Sequence, residues 1–209
     1  MLSFIKNVKE VKTMAKKNES PVAIFIDGVI LTTFLVSVVA FVLYYSNIYH
    51  NGTILWVGIV AFMIMYHLGL RIFFGNITSK LVISYKNRFF KPLFFEASLY
   101  KLLRVRKWKE KALTYDPDAF SPKKHSWEEI ANTMSKSEVD HWINEVISVV
   151  SILFSLLWGE FYIFLITAIL AMLFDAQFIL IQRYNRPLVI KHMEKKAKLL
   201  EKRAKKSTC

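Results

Sequence analysis

The stretch FILIQRYNRPLVIKHMEKK, residues 178–196, carries an apolar run into a polar knot and then into a basic tail. An apolar span that needs only an anchor ends on lysines, because positive charge alone holds it at the membrane border. Gln182, Arg183, Tyr184, Asn185, Arg186 and Pro187 offer more than charge. An amide and a phenol add hydrogen-bonding direction, and a guanidinium binds carboxylate or phosphate through a planar fork. The knot therefore predicts a shaped site rather than an anchor.

Working outward, the chain of 209 residues is 54% hydrophobic and carries a formal net charge of +13. That combination suits an integral membrane protein with basic cytoplasmic segments. Nucleic acid is not expected as a partner, because the basic residues cluster at the ends of apolar spans. The single cysteine, Cys209, is the last residue, so it forms no intramolecular disulfide and is a poor place for a nucleophile. The first apolar run is too long for a cleavable signal peptide and lacks a small-residue cleavage site.

A helix needs about 20 apolar residues to cross a bilayer. Four segments qualify: 22–45, 53–74, 142–158 and 161–181. The expected fold is an all-α, integral membrane four-helix protein of two hairpins, a single membrane domain over 1–209. Lys6, Lys9, Lys12, Lys16 and Lys17 precede the first span, and more basic residues fill 80–124 and the tail 188–209. The turns 46–52 and 159–160 contain no lysine or arginine, so both termini and the segment 76–141 are expected on the cytoplasmic side of the cell membrane. Residues 89–113 interleave Phe90, Phe94, Phe95, Leu99 and Leu102 with Lys91, Lys101, Arg104 and Arg106, predicting one amphipathic helix lying in the headgroup layer. Asp116-Pro117-Asp118 and Ser121-Pro122 mark a loop. Ser126–Glu129 reads as a capping box opening a short helix, and Ser137–Asp140 as another opening the third span.

Charge inside a membrane is expensive and often functional. Asp27 and Arg71 lie at similar depth in the first hairpin and are expected to pair, fixing helix register. Asp175 sits deeper and is placed to meet Asn144 or a backbone group. Glu138, His141 and Glu145 share one helical face by their spacing of three and four. If that face opens a helix, the dipole disfavours imidazolium and leaves a neutral His141 as base, oriented by Glu138. The other reading is an interfacial histidine bonding lipid headgroups. No metal is expected, since a Glu-x-x-His carboxylate site needs a second such pair. Arg106, Lys107, Trp108 and Lys109 form a second basic knot, which with Arg183 and Arg186 suits a phosphate-bearing ligand.

Three motifs together resemble one family: Val105-Arg106-Lys107-Trp108-Lys109, Glu138-x-x-His141-Trp142, and Gln182-Arg183-Tyr184-Asn185-Arg186-Pro187. Phe90-Lys91 followed by Phe95-Glu96 adds a weaker fourth. These look like the glycosyl-4,4'-diaponeurosporenoate acyltransferases, over about half the chain. The resemblance implies a membrane acyltransferase that moves a fatty acyl chain to a hydroxyl of a glycosylated carotenoid or related glycolipid. Acyl-CoA or acyl carrier protein is the implied donor, with no resident cofactor. In that frame His141 and Glu138 are the expected catalytic pair. Arg106, Lys107, Trp108, Lys109, Gln182, Arg183, Tyr184, Asn185 and Arg186 are the expected substrate-binding set. Membrane lipid, the acyl donor and a hydroxylated lipid acceptor are the expected partners. Backbone N–H groups at the start of the third span, with Arg183 or Arg186, are expected to face the oxyanion. No His-x-x-x-x-Asp box is present. The competing class is a non-enzymatic small membrane subunit, a transporter accessory or a pore-forming, holin-like protein. The oligomeric state is not legible in the sequence.

Overall fold

Uninterrupted apolar runs flanked by turn residues become helices long enough to satisfy every backbone group internally, as hydrocarbon demands. The computed structural model describes residues 21–112 and 117–207. The five N-terminal lysines, Asp116 and Cys209 lie outside the described residues. Among those described, four helical stretches are long and apolar enough to cross a membrane, and no strand occurs. The all-α, four-span architecture is the one expected.

The chain divides between Gly69 and Leu70 into two compact units. In the first, α1 (Pro21–Tyr45) is joined by a tight turn to α2 (Gly52–Thr78), whose residues after Gly69 belong to the second unit. Asn47 takes a left-handed conformation there, φ 58°, and the Asn51 side chain accepts from Ile54 N at 2.9 Å to cap α2. The two helices approach closely at Gly58, where an added Cβ would lie 3.0 Å from the Phe41 ring. Small residues at such crossings replace the hydrophobic effect, which has no force between helices in lipid.

The second unit is organised by α5 (Trp127–Ser151) and α7 (Phe161–Ser207). A 3-10 turn, Ile152–Phe154, and the short α6 (Ser155–Trp158) close the hairpin between them. Gly159 at φ 73° and Glu160 at φ 44° make the reversal. The pairing is antiparallel and in constant register: Trp127 meets His192, Ser137 meets Gln182, His141 meets Phe178 and Asn144 meets Asp175. On α7 the buried positions Asp175, Ile179, Gln182, Arg186 and Val189 alternate steps of four and three. That heptad spacing keeps one stripe against the partner helix. Ser135, Ser148 and Ser151 on α5 are fully buried and bond back to their own helix, so the two backbones can lie close. At the polar end Ile130, Ala131, Met134 and Val189 form a core joined by Tyr85, Phe120, Trp127 and Met193.

Three expectations are corrected. The third span opens no new helix at Ser137. One helix runs from Trp127, capped by Ser126, whose Oγ accepts from Glu129 N while Glu129 accepts from Ser126 N at 2.7 Å. The Ser126 capping box is as read, but it opens a 25-residue helix rather than a short one. The fourth span does not stop at the knot, because α7 continues through Pro187 for 47 residues, and the expected tail is helix as far as Ser207. Proline removes one helical N–H, yet packing along the seam outweighs that loss. Finally, 89–113 is not one amphipathic helix. It comprises a 3-10 turn (Arg88–Phe90), α3 (Glu96–Leu102), α4 (Val105–Trp108) and a second 3-10 turn (Lys109–Lys111). Arg104 at φ 50° separates α3 from α4. Phe94, Leu102 and Leu103 remain exposed along it, so its apolar face survives in pieces.

Candidate active site

The knot sits where α7 leaves its apolar run, and each of its polar side chains has a partner. Arg183 and Arg186 lie one turn apart on the stripe facing α5. Glu138 on α5 receives both: Arg183 Nη1 donates to Oε1 at 2.5 Å and Arg186 Nη1 to Oε2 at 2.6 Å. Arg183 Nε donates to Glu96 Oε1 at 2.7 Å, and its Nη2 to the Lys91 carbonyl. Arg186 Nη2 donates to the Phe90 carbonyl, with the guanidinium over the Phe90 ring. Two carboxylates and two carbonyls thus hold two buried cations, with Arg186 Nε left unbonded. This clamp ties the segment around Phe90 and α3 to the helix pair.

Tyr100 on α3 donates to Glu96 Oε2 at 2.7 Å and meets Tyr184 edge to face. Burial and the Glu96 carboxylate push the Tyr100 phenol up, which keeps it a donor. Lys109 donates to Asn185 Oδ1 at 2.7 Å and lies over the Tyr184 ring. Gln182 Nε2 donates to Ser137 Oγ at 3.3 Å. Trp108 turns back to donate to the Leu103 carbonyl. Arg106 and Lys107 are exposed.

A second cluster lies about two turns back along α7, toward its N-terminus. His141 Nδ1 is 2.8 Å from Asp175 Oδ1, and Asn144 Nδ2 donates to the same oxygen at 3.0 Å. Arg71 Nη2 donates to Asp175 Oδ2. Asp175 is 1% exposed, whereas the His141 side chain is 19% exposed. The Phe178 ring stacks on the imidazole at 4.7 Å and 7°. A carboxylate bonded at Nδ1 holds that proton in place and leaves the Nε2 lone pair as the basic site. Glu145 follows His141 by one turn and is half-buried.

This geometry corrects the sequence-based roles. Glu138 does not orient His141, because both its oxygens are taken by arginines; Asp175 is the orienting carboxylate. Arg71 was expected to pair with Asp27, and its partner is Asp175. Asp175 meeting Asn144 is as expected. Arg183 and Arg186 are buried and direct their donors to Glu138, Glu96 and two backbone carbonyls. Nor do free N–H groups of a helix start lie beside His141, since α5 begins 14 residues earlier at Trp127. Of the binding set, the Arg106 and Lys107 side chains are exposed and have no polar partner among the described residues. Asp175, Arg71 and Glu96 were assigned no role in the site from sequence. The signal for Asp175 was present: it lies one heptad before Gln182 on the seam.

A helical protein with four stretches able to cross a membrane, and an oriented imidazole packed between two of them, is the class that fold and site define. The sequence profile of the glycosyl-4,4'-diaponeurosporenoate acyltransferases matches residues 86–195, more than half of the chain. The chain belongs to that family and is an acyltransferase. The match contains the clamp and the His141–Asp175 pair; Arg71 and the first unit fall outside it. No curated relative and no solved structure matches the chain.

Proposed function

We infer that the chain moves a fatty acyl group from a cytoplasmic thioester donor to a hydroxyl of a glycosylated carotenoid or related membrane glycolipid. The observation carrying this reading is the His141 Nδ1–Asp175 Oδ1 bond at 2.8 Å, beside the aromatic wall of Phe178. In the proposed step His141 Nε2 takes the proton of the acceptor hydroxyl. The oxygen forms its bond to the thioester carbonyl carbon, the carbon–sulfur bond breaks, and the leaving thiolate takes the proton back from the imidazolium. Transfer is direct, since no serine or cysteine lies in the motifs that hold the base. Asp175 stabilises the transient imidazolium, and hydrogen bonds from Arg71 and Asn144 hold that carboxylate in place.

Arg106 and Lys107 are assigned to the donor's phosphates. They lie beside Lys109, which is bonded to Asn185, two turns of α7 or about 10 Å from Phe178. Phosphates therefore sit on the polar side and the acyl carbonyl at the membrane border. The lysine and arginine bias supports a cytoplasmic position for this end, with both termini on that side of the cell membrane.

The test offers purified protein acyl-CoA and acylated carrier protein in turn, with glycosylated carotenoid or glycolipid in lipid discs. Mass spectrometry is expected to find an acylated glycolipid from at least one donor. Absence of any acylated product from both would overturn the reading.

A further inference from the structure

Beyond Met193 α7 stands clear of the rest of the second unit. From Lys191 to Ser207 it carries eight lysines and arginines against two glutamates. Lys195, Lys196, Lys198, Lys202, Arg203 and Lys205 are all exposed. Leu199 and Leu200, half-exposed at 51% and 55%, form an apolar pair in the middle of this rod. A polar rim around a small apolar centre is the anatomy of a protein interface, and the excess of positive charge here selects an acidic one. Most of the rod lies beyond residue 195, where the family match ends.

Three occupants compete for such a surface. Anionic headgroups are the first, but the helix leaves the bilayer along the axis of its own span, and its pairing with α5 as far as His192 holds it there. Lys195 lies about 20 Å beyond Ile181 along that axis. Charge is screened over about 8–10 Å, and helix tilt seldom exceeds about 40°, so most of the rod lies outside the leaflet's field. A free nucleotide is the second, but the lysines surround an isolated helix with no cleft to converge on phosphates. An acidic soluble protein is the third, and it matches the sign, the length of about 25 Å and the apolar centre.

We propose that the basic end of α7 docks an acidic acyl carrier protein, delivering its thioester to the site below. This rests on the acyl-transfer reading and assigns its donor class. The experiment measures binding of acylated carrier protein to the full chain in discs of neutral lipid, independently of turnover. The variant replaces Lys195, Lys196, Lys198, Lys202, Arg203 and Lys205 with glutamine. Among the described residues the polar partner of these side chains is Glu201, bonded by Lys205 one turn away on the same helix, and helicity is checked by circular dichroism. The expected result is saturable binding that weakens at least about tenfold in the variant and falls with added salt, as steered charge pairs do. His141→Ala should bind as the unmodified chain does. Equal affinity for variant and parent, no binding by the parent, or rod engagement only with discs of anionic lipid would overturn the docking. Carrier binding without acyl transfer from any donor would leave the docking standing and remove the acyl-transfer reading instead.

Discussion

Arg186 and Glu138 meet across the helix pair as an ion pair in which neither side chain is more than 1% exposed. Two charges taken out of water cost several kcal/mol each and persist only when every donor and acceptor is matched. Arg183, the Phe90 carbonyl and Glu96 supply most of that matching here, and only Arg186 Nε of the two buried guanidiniums is left without a hydrogen bond. A polar contact at a heptad position also fixes register, since any slip separates the partners. The pair therefore sets which residues of α5 and α7 face each other, including His141 and Asp175.

Replacing Glu138 with glutamine keeps the shape but leaves two buried guanidinium groups short of charge. The expected loss is about 3–5 kcal/mol of stability, read as a lowered unfolding temperature in detergent. Loss of turnover in this variant should track loss of folded protein. Full stability with abolished turnover would instead make Glu138 a group of the reaction.

Arg183→Lys tests whether the knot binds donor or holds the fold. A lysine cannot bridge Glu138, Glu96 and the Lys91 carbonyl at once, because its three donors radiate from one atom. The expected outcome is a destabilised protein whose remaining folded fraction keeps its donor KM. A raised KM at unchanged stability would return Arg183 to the phosphate site.

Arg106→Ala with Lys107→Ala should do the reverse. Both side chains are exposed, so stability is expected to stay within about 0.5 kcal/mol. Donor KM should rise about tenfold or more with little change in kcat, measured with either thioester donor.

In the first unit, Gly58→Leu is expected to separate α1 from α2. Its Cβ would already lie 3.0 Å from the Phe41 ring and 3.3 Å from Ala40 Cβ. Overpacking of this kind costs about 1–3 kcal/mol, visible as a lower unfolding temperature. Unchanged stability would mean that Phe41 swings away freely.

The spans, the Ser126 cap and the polar knot were legible because each is a local pattern: hydropathy, a four-residue box, an unusual composition. Ser137–Asp140 matched the same box and opened nothing, because a capping motif works only where the preceding residues cannot continue the helix. Here residues 127–136 can, being packed on α7 through Ile130, Ala131 and Met134. Glu138 was read with His141 because three-residue spacing puts them on one face. Its real partners lie 45 and 48 positions away, a distance that only helix register decides. The segment 89–113 had the composition of an interfacial helix, but Arg183 and Arg186 draw the Lys91 and Phe90 carbonyls into the clamp. A backbone bent to offer its carbonyls sideways cannot also continue one helix. Arg71 was paired with its nearest acid by depth, while Asp175 gathers it with His141 and Asn144.

Asp175→Asn removes the charge that orients His141 and balances Arg71. Turnover is expected to fall about tenfold or more with donor KM unchanged, accompanied by some loss of stability from the unpaired Arg71. Equal turnover in a folded Asn variant would place the orienting role elsewhere.

The central claim is that His141 is the base of acyl transfer, and the most direct measurement is single-turnover transfer by His141→Ala with the donor saturating. General-base catalysis supplies about a hundredfold to ten-thousandfold in rate. The account predicts a drop of at least about a hundredfold in a variant that stays folded and binds donor as before. Single-turnover transfer at near the parental rate by that folded variant would contradict it.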